Sequence, residues 1–410
     1  MIARLRCCFC VAASVICAAQ VSAVELFCDN FNTTGSSALW QVNAAPTANA
    51  GNQSATFAFN YGTLGIPAAP GSNDTLGLRL RANIPGTPDN PVTTRPVGTI
   101  SGLSLSPVGM NFGTNYQLEF YAWSNHFGFN GNLADNVNSP GGTNNVLFAV
   151  GTSGTAPMVL GNPNAIAGGA PDGVAFATTG DGGIGNDYRV FAASGTFTPG
   201  TTAGVYAAGA DVTAVQSSNA FYTAMFPPVA APAVQADIAA AEFSDANLNP
   251  MLGTSQAGSF GFAWQKVTIV KNGNTVTWSI NDALIATVDA AALTLGGANI
   301  AIGVSDVNTS TARYPSLVFT VFDNLVVTSL PSAGPAGDFT GDGVVDGADF
   351  LKWQRGESPS PLSAADLATW KAGFGTSAAA LSVSAVPEPA TIAIGLLGAA
   401  AMGVAARRRR

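Results

Sequence analysis

The stretch that decides the fold is QKVTIVKNGNTVTWSINDALIATVD, residues 265–289. Val267 and Ile269 alternate with Thr268. Asn272-Gly273 then supplies a two-residue turn, Val276, Trp278 and Ile280 alternate again, and Asn281-Asp282 turns the chain into Leu284-Ile285. A period of two, broken by residues that tolerate positive φ, predicts three consecutive antiparallel strands joined by tight hairpins.

The same pattern recurs on both sides. YQLEFYAWS (116–124), NVLFAVGT (145–152), DYRVFAASG (187–195) and SLVFTVFDNLVV (316–327) are short runs rich in aromatic and β-branched residues, separated by Gly, Asn, Pro and Asp. Helical periodicity is nearly absent, and only APAVQADIAAAEF near 230–243 reads as a helix, inside an insertion between about 196 and 262. Ten or more strands over some 300 residues predict an all-β fold with two packed sheets.

Composition agrees: the chain has 410 residues, 47% of them hydrophobic and only 10% charged, with 47 Gly and 24 Pro, as suits a turn-rich extracellular β protein. Residues 1–23 read as a signal peptide: Arg4 and Arg6, an apolar stretch to about Ala19, then Val21-Ser22-Ala23 before a mature start near Val24. Cys7, Cys8, Cys10 and Cys17 leave with it, so Cys28 remains and reads as a buried apolar residue or an incidental thiol. Residues 24–386 hold ten basic and 23 acidic side chains, a net of −13. That balance excludes a nucleic-acid face and suits divalent cations.

The order of the phrases FCDNF, YQLEFYAW, WQKVTIVKNGNTVTWSINDALIATV and FTVFDNLVV resembles the concanavalin A-like lectin/glucanase proteins. The resemblance implies a jelly-roll sandwich over 24–330 with a carbohydrate-binding face. Glucanases of that fold carry two glutamates on one strand, whereas here the glutamates before 331 are Glu25, Glu119 and Glu242, none in that arrangement. A glycoside hydrolase acting in polysaccharide catabolism is therefore the second reading, with no catalytic residue assigned. His126 is the only histidine and is expected at a strand end or in a loop; a zinc cluster of His and Cys is excluded. GDGGIG (180–185) has the glycines of a nucleotide loop but leads into a strand, so it reads as a tight turn, with Asp181 and Asp187 as weak candidates for a cation site. Trp123 and Trp278 are expected in the core, Trp40 and Trp264 nearer strand edges.

After a linker at 331–337 comes DFTGDGVVDGADFLKWQRG. Counted from Asp338 as position 1, Thr340 is 3, Asp342 is 5, Gly343 is 6, the Val344 carbonyl is 7, Asp346 is 9 and Asp349 is 12, the ligand spacing of an EF-hand calcium loop. Thr340 and Asp349 depart from its usual residues. ADFLKWQRG (348–356) repeats 17 residues later as ADLATWKAG (365–373), a second helix without a loop. Paired loop-helix repeats of this kind resemble the type I dockerin family, which implies, for residues 338–375, a small α-helical module that binds Ca2+ and docks a cohesin-like partner.

A further linker (376–385) leads to VPEPATIAIGLLGAAAMGVAARRRR, residues 386–410. Residues 390–406 are uncharged and as a helix would reach about 25 Å, a short transmembrane span. Arg407–Arg410 would stay cytoplasmic. Pro387-Glu388-Pro389, the span and the arginines together resemble the PEP-CTERM sorting signal. That resemblance implies recognition by an exosortase in the inner membrane, transient anchoring, then release to the cell surface or extracellular matrix.

Overall fold

The computed structural model describes residues 23–44, 53–82, 101–126, 144–158, 172–180, 187–191, 217–242, 253–306, 315–330 and 335–377. The chain divides into two compact units, Ala23–Pro331 and a second that includes Ser332–Arg410.

Among the described residues the first unit is a two-sheet antiparallel sandwich of fourteen strands: β1 (Glu25–Asp29), β2 (Trp40–Ala44), β3 (Ser54–Asn60), β4 (Leu76–Arg81), β5 (Ser101–Pro107), β6 (Asn115–His126), β7 (Asn144–Thr152), β8 (Val174–Thr179), β9 (Tyr188–Phe191), β10 (Trp264–Asn272), β11 (Thr275–Ile280), β12 (Ala283–Asp289), β13 (Asn299–Asp306) and β14 (Val318–Ser329). One sheet runs β12-β11-β10-β6-β14-β4-β3, with β1 also pairing β14; the other runs β2-β5-β13-β7-β8-β9. The three-strand expectation for 265–289 is met: Val270 faces Thr277 across the Asn272-Gly273 turn and Ile280 faces Ala283 across Asn281-Asp282. Asn281 and Asp282 have φ of 49° and 66°, the doubly left-handed turn that matches strand twist.

Alternation decides which side chains meet between the sheets. Leu118, Phe120 and Ala122 of β6, Val267 and Ile269 of β10, and Val276, Trp278 and Ile280 of β11 face Val146, Phe148 and Val150 of β7 and Ile300, Ile302 and Val304 of β13. Trp278 is fully buried, with ring centroids of Phe148 and Phe176 at 5.3 and 5.1 Å. Trp123 is buried as expected. Trp40 is buried too, because Asp29 accepts its indole N–H at 2.8 Å.

Both sheets are covered on a second face as well. Trp123, Phe319 and Val321 pack under Ile238 and Ala239 of the helix Val234–Glu242, which confirms the one expected helix; it is α2, after a short α1 (Ala220–Met225) that the sequence did not signal. The insertion's stalks pair, with Ser255 N donating to Val229 O at 2.8 Å. Behind the other sheet, Leu147, Ala149, Ala175, Ala177 and Ala301 pack with Met158 and Phe191. Small outward residues there let a second layer approach closely.

Of the two readings of Cys28, burial is corrected: the residue is exposed. It lies opposite Val326 of β14, whose side chain points away from the core, while Phe27 opposite Val327 turns inward and packs against it. A one-residue difference in register decides which of the pair is buried.

The C-terminal unit contains α3 (Gly347–Gln354) and α4 (Ala364–Gly373) behind the 338–346 loop. Val345 is fully buried, and Phe350 stacks on Trp353 at 5.6 Å and meets Trp370 at 4.7 Å. No residue of α4 is fully buried.

Candidate functional site

In the C-terminal loop the aspartates are bound into a backbone network. Asp338 Oδ1 accepts from Gly341 N (2.7 Å), Asp342 N (3.2 Å) and the Thr340 hydroxyl (3.1 Å), and its Oδ2 accepts from Gly343 N (2.7 Å). The turn needs glycine at 341 and 343, where φ is 80° and 83°. Asp342 accepts from Val344 N and Asp346 from Ala348 N. Asp349, fully buried, spans the loop: Oδ1 accepts from Thr340 N and Oδ2 from Asp346 N, both at 2.8 Å, the second closing a capping box at the start of α3.

Asp338, Thr340, Asp342, Val344, Asp346 and Asp349 therefore lie along one turn that their own side chains hold in shape. Among the described residues no three His, Cys, Asp or Glu side chains form a group that could hold a metal ion. Asp338 accepts four hydrogen bonds and Asp349 two, so the loop's own donors hold these carboxylates in place, and oxygen is the donor type that hard cations take.

In the sandwich, the carboxylates that matter structurally are buried acceptors. Asp29 accepts from Phe31 N, the Ser36 hydroxyl and Trp40 Nε1 at 2.8–2.9 Å, which explains the FCDNF phrase as a knot closing the first turn. Asp323, at a bulge in β14, accepts from Tyr61 Oη (2.9 Å), Ser72 Oγ (3.0 Å) and Asn324 N (2.7 Å). Burial outweighs these bonds and pushes its carboxyl up to about 7. Asp187 accepts from Thr179 Oγ1 and Ser217 N, and burial raises its pKa as well. Asp181 lies outside the described residues, as do the glycine run from 181, residues 1–22 of the expected signal peptide and everything after 377.

His126 ends β6 as expected, and it is buried. It stacks on Phe262 with centroids 4.4 Å apart, and Gly180 and Gly261 press on its ring; a Cβ at either would collide with it or with Ser124. Desolvation lowers its pKa to about 3, so it is a neutral packing residue in the physiological range. Asn125 beside it makes a reciprocal amide pair with Gln235 of α2, at 3.0 and 2.8 Å, and donates to Leu317 O.

No strand carries two of the glutamates. Glu119 on β6 faces Thr268 and Val326; Glu25 on β1 faces Thr328. They stand on different strands, β1 and β6, with β14 between them. The Glu242 side chain lies outside the described set. Among the described tryptophans of the sandwich only Trp264 is partly exposed, and its indole donates to Pro67 O at 2.8 Å.

The least expected polar group is a pair of arginines, Arg79 and Arg81, on the outward face of β4, with Arg79 lying 4.0 Å over the Phe59 ring. Only their alternation with Leu78 and Leu80 in LGLRLR could have revealed them.

Several solved structures are similar to this chain. They include a protein of unknown function with a galectin-like fold from Bacillus subtilis (11% identity, TM-score 0.34, covering 75% of this chain and 99% of that one). Others are the exoplasmic/lumenal domain of VIP36 in a Ca2+/Man2-bound form (11%, 0.33, 73% and 86%) and the potassium-bound carbohydrate recognition domain of Emp46p (10%, 0.34, 74% and 95%). At these values the likenesses assign no function. No curated protein matches the sequence. No helix among the described residues is long and apolar enough to cross a membrane, and the expected span at 390–406 lies outside them. Residues 385–410, which contain Pro387, Glu388 and Pro389, match the PEP-CTERM protein-sorting motif, and this marks the chain for export and membrane-linked sorting to the cell surface.

Proposed function

We propose that this chain is an exported protein of the cell surface or extracellular matrix, delivered by exosortase after transient anchoring through residues 390–406. Its sandwich is a carbohydrate-binding body, and its C-terminal unit is a dockerin-like calcium module for a cohesin-like partner. The sorting match over 385–410 is the observation that carries this reading, since it gives the chain an address outside the cell. Removal of residues 1–23 as a signal peptide belongs to the same route.

Support for calcium comes from the loop. Asp338, Asp342, Asp346 and Asp349, with the Thr340 hydroxyl and the Val344 carbonyl, would hold Ca2+, whose two positive charges would offset half the charge of the four carboxylates within twelve residues. The chain's own part is to preform the turn: Asp338 gathers the amides of 341–343, and Asp349 ties the loop to α3.

Binding is favoured over hydrolysis by the placement of Glu25 and Glu119 on different strands and by the buried, neutral state of His126. The test is a screen of the full chain on neutral and acidic polysaccharides, with and without calcium, for retention and for released reducing ends. Retention without release is the expected result. Release of sugar would replace this reading with the hydrolase, and silence on every polymer would remove the carbohydrate reading.

A further inference from the structure

The loop at 338–349 holds the end of its own unit. Val344 and Val345 share one planar peptide, whose carbonyl is position 7 of the ligand set and whose N–H donates to Thr376 O at 2.9 Å. Gly375 N returns a bond to Val345 O at 2.8 Å, and Val344 bridges Ser377 in antiparallel sense. The next carbonyl, of Asp346, accepts the Trp370 indole N–H at 2.7 Å. Three successive loop residues thus carry the exit of the unit as well as two of the proposed ligands. The repeat explains why: ADLATWKAG has no loop before it, so the first loop pairs with the residues that follow the second helix.

Few apolar contacts hold that exit. No residue of α4 is buried, Phe374 is 59% exposed although its ring meets Trp370 at 5.1 Å, and residues 375–377 are all exposed. A segment kept in place mainly by backbone bonds opens at low cost. The entry of the unit lies at the same place. Gly337, with φ of 104°, backs onto Trp370, where a Cβ would stand 2.8 Å from the Trp370 Cα, and Gly373 backs onto Ala336 O and the Val345 side chain. Entry and exit are therefore side by side while the pairing is made. Once it opens and the chain extends, the roughly 40 residues between them reach up to about 140 Å.

We propose that residues 375–377 form a calcium-controlled latch, closed onto Val344 and Val345 when the loop holds Ca2+ and released when it does not. The stretch between the sandwich and the sorting signal then switches from a closed clasp to an extendable tether. This rests on the calcium reading above and adds its regulation. The coupling is the shared peptide: with Val344 O ligated, the plane of that peptide is fixed and its N–H polarised, which strengthens the bond from Val345 N to Thr376 O. Linkage requires the converse, so weakening the latch weakens calcium binding by the same factor.

The test measures amide hydrogen exchange and calorimetric Ca2+ binding on the full chain, in calcium and in chelator. The expected result is exchange at the Val345 and Gly375 amides slowed at least tenfold by calcium. The variant is Gly375→Ala: φ there is 81° and a Cβ would touch nothing within 4 Å, so the change strains the closed latch without a clash or the loss of a ligand. Gly356→Ala is the control, with φ of 74° and ordinary contacts to Pro361 and Leu362, away from the pairing. Gly375→Ala should weaken calcium binding roughly fivefold, the left-handed penalty charged to the closed state alone, and Gly356→Ala less than twofold. Calcium binding with unchanged exchange at Gly375 would overturn the latch and leave the calcium reading intact. Equal affinities in the two variants would do the same, since the strain would then be present with and without the cation. No calcium binding by the unaltered chain would remove both.

Discussion

Replacing Asp323 by Asn should change how stability depends on pH. The carboxyl is fully buried at the β14 bulge, and its pKa in the folded chain is about 7 against 3.8 for the free group. A raised acid pKa means that the folded state holds a proton the unfolded chain has lost between those values. Stability from this group is therefore complete below pH ~4, falls as pH rises and levels off above ~7. Three pH units at 1.36 kcal/mol each set a ceiling of about 4 kcal/mol. His126 works in the opposite sense: its pKa falls from 6.5 to about 3, so its contribution is complete above ~6.5 and is lost on acidification. Between pH 4.5 and 6.5 the two slopes nearly cancel. Asp323→Asn removes one of them, so the variant should gain on the wild type by on the order of 3 kcal/mol between pH 4.5 and 8. Tyr61, Ser72 and Asn324 can still bond the amide after it turns. Urea unfolding followed by circular dichroism at half-unit pH steps measures the difference. A stability difference that stays constant over that range would refute the assignment of a raised Asp323 and the burial argument behind it.

Trp278→Ala should destabilise the sandwich by about 3–5 kcal/mol, because the indole fills the space between Phe148 and Phe176, and thermal unfolding reads it. Asp342→Ala or Asp349→Ala should abolish calcium-dependent ordering of residues 338–355; calorimetric calcium binding that survives either change would contradict the ligand set. Gln235→Ala strips Asn125 of its amide partner, should cost about 1–3 kcal/mol, and should speed proteolysis near α2.

What could be read from the sequence followed from period and turn chemistry. The 265–289 run showed its strands because Val267, Ile269, Val276, Trp278 and Ile280 keep a strict alternation bounded by Asn-Gly and Asn-Asp. The pairing order of fourteen strands was not legible, since alternation says which face is buried and not which neighbour a strand takes. The choice between a buried and an incidental Cys28 stayed open because nothing local marks the β1 register against β14. Asp29 and Asp323 were missed as structural acceptors because their donors, Trp40 Nε1 and Tyr61 Oη, come from 11 and 262 residues away. The EF-hand spacing was plain within one loop; that Asp338 and Asp349 would turn their oxygens onto loop amides needs three dimensions.

The surface address is the claim on which the rest depends, and the mass of the chain recovered from a host with and without its exosortase tests it most directly. With the enzyme present, the account predicts a surface or medium fraction beginning near Val24 and ending near Pro387-Glu388-Pro389, and a membrane-held chain retaining Arg407–Arg410 when the enzyme is absent. A chain recovered from the cytoplasm with both ends intact in either host would contradict it.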